Sequence, residues 1–147
     1  MRQALLVVLG VALLAGCGGG GKGKQLTKAE YASKADAVCS KYSAEVKALG
    51  SPSDLSTLTT IAEKTLPIVD STIADLKKLE PPSEESALAS QWLSQMQGVA
   101  DDARALLAKA KAKDLQGLRT LLPKAQQHLA RSNALASQLG MSVCSKA

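Results

Sequence analysis

At 147 residues, with a net charge of +5, 46% hydrophobic side chains and only 2% aromatic ones, the chain has room for one domain with a single core. Phenylalanine is absent and the apolar content is mostly Ala, Leu and Val, which favours packed helices over strands. The scarcity of aromatics also argues against a base-stacking surface for single-stranded nucleic acid.

Met1-Arg2-Gln3 supplies one positive charge, and Ala4 to Ala15 (ALLVVLGVALLA) forms an apolar run of 12 residues. That run is too short to span a hydrocarbon core of ~30 Å and has the form of a secretory leader. Its end, Leu14-Ala15-Gly16-Cys17, resembles the lipobox of bacterial lipoprotein precursors: an aliphatic residue, two small residues and a cysteine. The resemblance implies that Cys17 takes a diacylglyceryl group on sulfur and that residues 1–16 are removed as a lipoprotein signal peptide. A further acyl group, such as palmitate, would go on the new amine. The protein would then be exported and lipid-anchored to the outer face of the bacterial cell membrane, since two acyl chains hold a protein there stably where one does not. Residues 17–26 are the lipidated cysteine and a Gly/Lys tether. The eight residues Gly18 to Gln25 span ~15 Å root-mean-square as a flexible chain. Lys22 and Lys24 would lie near the headgroups, each worth about 1 kcal/mol on an anionic surface.

The folded domain is expected over 27–147, as four helices. The first opens with Thr27-x-x-Glu30, a capping box. Its apolar face is Tyr31, Ala35, Val38, Tyr42, Val46 and Leu49, and Gly50 closes it. The second is expected to start with Ser51 as cap and Pro52 in the first turn, with Asp54 near the positive end of the dipole. Its stripe is Leu55, Leu58, Ala62, Leu66, Val69, Ile73 and Leu76, and Pro67 inside it should produce a kink. The third restarts after Pro81-Pro82, with Glu84 and Glu85 in the first turn and Leu88, Trp92, Met96, Val99, Ala103, Leu106 and Ala110 on its face. The fourth starts at Asp114 and carries Leu115, Leu118, Leu122, Ala125 and Leu129, with Leu135 and Leu139 towards one edge. Pro123 should bend it and Gly140 end it. Short loops between long helices imply antiparallel neighbours, hence an all-α, up-down-up-down four-helix bundle. The openings DLSTLTTI and DLQGLRTL share Asp, two Leu and a Thr, a faint sign of a repeated hairpin.

There are three cysteines, Cys17, Cys39 and Cys144. With Cys17 taken by lipid, an even pair remains in an oxidising compartment, which favours a disulfide over two buried thiols or a metal site. The bundle permits it. Cys39 lies ~18 Å along the first helix from Thr27, and the tail GMSVC reaches ~17 Å when extended. Cys144 can therefore fold back on the first helix, with Met141 and Val143 packed beneath. Such a bridge contributes at most about 4.7 kcal/mol in the chain-entropy model.

The stretches LTKAEYASKADAVC, LKKLEPP, AKAKDLQGL and LASQLGMSVC together resemble a group of small actinobacterial exported helical proteins and lipoproteins, with one cysteine in the first helix and one at the C-terminus. The resemblance covers nearly the whole mature chain. It implies the helical bundle and the bridge, and it brings no activity with it.

No catalytic arrangement of nucleophile, base and orienting group is visible, nor a phosphate loop or metal-binding helix motif. Asp101-Asp102 and Glu84-Glu85 are adjacent pairs, expected on solvated surface. Met96 and His128 fall at similar height on neighbouring helices and are the candidates for haem ligation, although Met96 as core and His128 at its edge explains them more simply. Losing Arg2 with the leader would lower the net charge from +5 to +4. Lys109 to Arg131 holds six basic residues and one acidic, whereas Asp54 to Asp102 holds nine acidic and three basic. A basic face of this kind suits anionic lipid or a wall polymer. The expectation is therefore a non-enzymatic, membrane-tethered module, with no cofactor, that binds or spaces a component of the envelope: a lipid, a polymer or a protein, but not nucleic acid. The second expectation is a carrier of a small ligand or haem, with its pocket between the helices near Pro67 and Pro123.

Overall fold

A computed structural model describes residues 25–146. The expected leader, Cys17 and most of the expected tether lie outside the described residues. Four helices follow one another: α1 (Lys28–Ala48), α2 (Leu55–Lys77), α3 (Ser86–Lys111) and α4 (Leu115–Gln138). Single 3₁₀ turns at Ser83–Glu85 and Cys144–Lys146 flank the last two. They form the expected all-α bundle, in which α3 and α4 share the longest seam, α2 packs on α3, and α1 packs on α2.

Each helix start has a chemical cause. Thr27 Oγ1 accepts from the Glu30 amide at 3.2 Å while the Glu30 carboxylate accepts from the Thr27 amide at 2.8 Å, completing the capping box. In α2 the cap is Asp54 rather than Ser51, and the helix begins at Leu55 instead of near Pro52. Asp54 Oδ1 accepts from the Thr57 amide at 2.8 Å, a stronger charge-assisted bond than a serine hydroxyl offers. Asp114 caps α4 in the same way, accepting from the Gly117 amide at 2.8 Å. The likeness between DLSTLTTI and DLQGLRTL is thus shared N-cap chemistry followed by leucines at equivalent positions. Pro67 and Pro123 both lie inside their helices on exposed faces, and each helix runs on through its proline.

The core is concentrated at the end where α1 and α3 begin and α2 and α4 finish. Tyr31, Ala35, Leu76, Trp92, Ala136 and Leu139 are all fully buried there. With the partly buried residues packed against it, their cluster takes in residues from Leu26 to Cys144. After α4, Gly140 takes φ 83°. Its amide donates to the Ser137 carbonyl, and the Met141 amide to that of Ala136, both at 3.0 Å. That is a Schellman turn, for which glycine is suited because it has no Cβ. It swings the tail back so that Met141 is buried and Cys144 reaches α1. The Cys39–Cys144 disulfide forms there, with the Cα atoms 5.3 Å apart and 105 residues between them in sequence.

The opposite end is less closed. Leu58, Leu115 and Leu122, all expected on buried stripes, have 46%, 61% and 45% of their surface exposed. The C-terminal tail lies against both α4 and α1. It fills the space between them only at the disulfide end.

Candidate functional site

Among the described residues, two of the cavities lie between the helices. The lower one, about 90 Å³, sits directly above the disulfide and is lined from all four helices, including Cys39, Tyr42, Met96, Leu129 and Cys144. The upper one is a cleft of about 410 Å³ between the start of α2, the end of α3 and the start of α4. Leu58, Ala62, Leu106, Ala110, Leu118 and Leu122 line it, together with Thr59, Ala103 and Leu107. No residue of α1 is among them, although α1 contributes to the lower cavity. The cleft is therefore an unclosed stretch of bundle core, exposed where the fourth wall would stand.

Its lining is almost wholly apolar. The lone hydroxyl, Thr59 Oγ1, donates to the Ser56 carbonyl at 2.8 Å and so is already engaged within its own helix. Leu58 and Leu118, equivalent positions behind the two aspartate caps, face the cleft from opposite sides. Small-molecule sites occupy roughly 300–1,000 Å³. The upper cleft falls within that range and the lower cavity well below it.

Ion pairs tie the helices around the cleft. Lys111 pairs with Glu63, joining α3 to α2. Lys109 Nζ lies 2.8 Å from Asp114 Oδ2. The hydrogen bond from Lys109, followed by that from the Gly117 amide, holds the Asp114 carboxyl below its ordinary range. Lys64, Lys113 and Arg119 have no ion pair among the described residues.

Away from the cleft, the α3–α4 seam holds a polar cluster that the sequence pattern misplaces. Asp102 is not solvated surface: its side chain is 5% exposed. His128 Nδ1 lies 2.5 Å from Asp102 Oδ2, and Lys124 Nζ lies 3.4 Å from Oδ1. Asp102 stands three residues after Val99 and four before Leu106, which puts it on the edge of the α3 stripe and turned into α4. Gly98 makes room for the ring, since a Cβ there would come within 3.1 Å of His128 Nδ1. Glu85 is likewise drawn in, paired at 2.8 Å with Lys28 of α1, while Glu84 and Asp101 are exposed. Met96 and His128 do sit on neighbouring helices, but they are not brought to one cavity: Met96 lines the lower one and His128 lines neither.

The tail is also held by a group that composition does not reveal. Asp36 Oδ2 accepts from the Ser142 amide at 2.8 Å and the Ser142 hydroxyl at 2.9 Å, and Oδ1 accepts from the amides of Val143 and Cys144 at 2.9 and 3.0 Å. Burial opposes ionisation of Asp36, but the hydrogen bonds from Cys144, Ser142 and Val143 outweigh it and hold the carboxyl below its ordinary range. Asp36 lies one helical turn before Cys39, so the two share a face. That spacing was the available signal.

No described helix is long and apolar enough to cross a membrane. Among the described residues no group of three or more His, Cys, Asp or Glu is placed to hold a metal ion. Compared with known families, curated proteins and solved structures, the chain finds no match.

Proposed function

We propose that the chain is a tethered, non-catalytic binding module of the bacterial cell envelope, anchored through Cys17, and that it holds an apolar small molecule in the cleft between α2, α3 and α4. The anchoring, the removal of residues 1–16 and the kinship with small exported helical lipoproteins follow from the resemblances in the sequence. The binding role is supported by one observation: a cleft of about 410 Å³ with leucine and alanine walls at the end of the bundle away from Thr27, where the tether joins. Apolar surface left open to water costs about 25 cal/mol per Å², so a ligand that covers it gains that free energy on entering. The lower cavity, with Met96 on its wall, is too small to take a haem group.

The test uses residues 25–147, which hold all four helices and the core cluster. A cooperative thermal melt first establishes that this chain is folded. Binding of a naphthylamine probe that fluoresces in apolar surroundings is then measured with the native chain and with Ala62→Phe, which fills the cleft. Saturable fluorescence in the first and its loss in the second is the expected result. Equal fluorescence in both, or none in either, would contradict the proposal.

A further inference from the structure

Resting on the small-molecule reading of the cleft, we propose that its occupant is an anionic single-chain amphiphile: an acyl chain lying between Leu106, Leu118 and Leu122, with its charged end at the mouth beside Arg119 and Lys113. Three features of the cleft lead to this ligand chemistry.

The first is the absence of any free polar group on the walls. Thr59 spends its hydroxyl on Ser56, so a polar ligand body would lose its hydrogen bonds to water and regain none, at about 1–3 kcal/mol for each group left unpaired. The part inside must be hydrocarbon. The second is shape. The α3 wall runs from Ala103 to Ala110, which is ~10 Å along the helix axis, and the α2 and α4 walls flank it lengthwise. An extended chain fits such a trough better than a compact ring system.

The third is the charge at the mouth. Leu115, Arg119 and Leu122 fall at i, i+4 and i+7 on α4, which places them on one stripe. Leu122 lines the cleft, so Arg119 stands at its border, between two exposed leucines. Lys113 lies in the α3–α4 turn, at the same end of the bundle. The charges of Glu63 and Asp114 are offset by Lys111 and Lys109, and Asp54, which keeps its charge, is turned to the Thr57 amide and the Ser53 hydroxyl as the α2 cap. Arg119 and Lys113 have no ion pair among the described residues, which leaves the mouth with an excess of positive charge beside an apolar trough. A carboxylate or phosphate on an acyl chain is complementary to both.

Calorimetric titration of residues 25–147 with octanoate, decanoate and decanol, each below the concentration at which it aggregates, provides the test. Decanoate is expected to bind about fourfold tighter for each methylene it has beyond octanoate, and at least threefold tighter than decanol. Arg119→Glu should remove the preference for decanoate and leave decanol binding unchanged. Ala110→Phe and Ala62→Phe, on opposite walls, should abolish both, and two variants guard against one failing to fold. If decanoate and decanol bind equally and Arg119→Glu changes neither, the headgroup inference falls while the apolar cleft stands. If no amphiphile binds and the naphthylamine probe does not either, both fall. If decanoate fails to bind and the chain instead sediments with phosphatidylglycerol vesicles in an Arg119-dependent way, the face meets a lipid surface and the single-chain inference is overturned.

Discussion

His128 Nδ1 and Asp102 Oδ2 face each other at 2.5 Å across the α3–α4 seam, with the carboxylate almost completely buried. Lys124 is the second partner of that carboxylate, at 3.4 Å, and it is largely exposed. Removing the imidazole would leave a buried carboxylate with one distant partner. Removing the carboxylate would leave two groups that can turn to water. The costs should therefore be unequal. His128→Ala is expected to destabilise the fold by about 2 kcal/mol, and Asp102→Leu, which replaces a buried charge with hydrocarbon, by no more than about 1 kcal/mol. Urea unfolding of the two variants decides this, and the reverse ranking would contradict it.

Asp36 gives the fold a dependence on acid. Its folded pKa lies below the unfolded value of 3.8, so its contribution is present in full above that value and is lost as the pH falls through the lower, folded one. Asp36→Asn should cost about 1–2 kcal/mol at neutral pH, the range for losing a charged cap on free amides. The gap between native and variant should narrow as the pH drops from about 5 towards about 2. A gap that stays constant across that range would mean that the tail amides do not depend on the ionised carboxylate.

Much of this architecture is visible in the residue order, and the exceptions share a cause. The capping box at Thr27, the cap at Asp114, the turn at Gly140 and the Cys39–Cys144 bridge all depend on local spacing or on reach along a helix, which sequence encodes directly. The burial of Asp102 depends on which way the edge of the α3 stripe turns against α4, and periodicity leaves that choice open by one side-chain position. The cleft is harder still to read. Leu58 and Leu122 follow the same pattern as leucines in a closed core, yet both are exposed, and no residue of α1 lines the cleft they face. A pattern within one helix does not record where another helix stops covering it. Gly98 had a meaning that became clear only once the His128 ring was placed against it.

Lys113 is a non-glycine residue in the left-handed region, with φ 55°. It occupies the position that ends α3: its amide donates to the Ala110 carbonyl and the Asp114 amide to that of Lys109, both at 3.0 Å. This is the same turn that Gly140 makes after α4. A side chain there costs about 1 kcal/mol relative to glycine. Lys113→Gly should raise stability by that amount in thermal or urea unfolding. No gain, or a loss, would show that the lysine side chain makes a compensating contact.

Tyr31 is fully buried, yet its hydroxyl has no hydrogen-bond partner among the described residues. Burial also pushes its phenol pKa up. Tyr31→Phe keeps the ring and removes an unpaired polar atom, so it should be neutral or stabilising by up to about 1 kcal/mol. A loss of more than about 1 kcal/mol would show that the hydroxyl has a partner in solution.

The occupancy of the upper cleft is tested most directly by leucine-methyl NMR of residues 25–147 during titration with decanoate. Shifts confined to Leu58, Leu106, Leu107, Leu118 and Leu122, with Leu76 and Leu139 of the disulfide end unmoved, are the expected result. Shifts spread evenly over all leucines, centred on Leu76 and Leu139, or absent at saturating decanoate would contradict it.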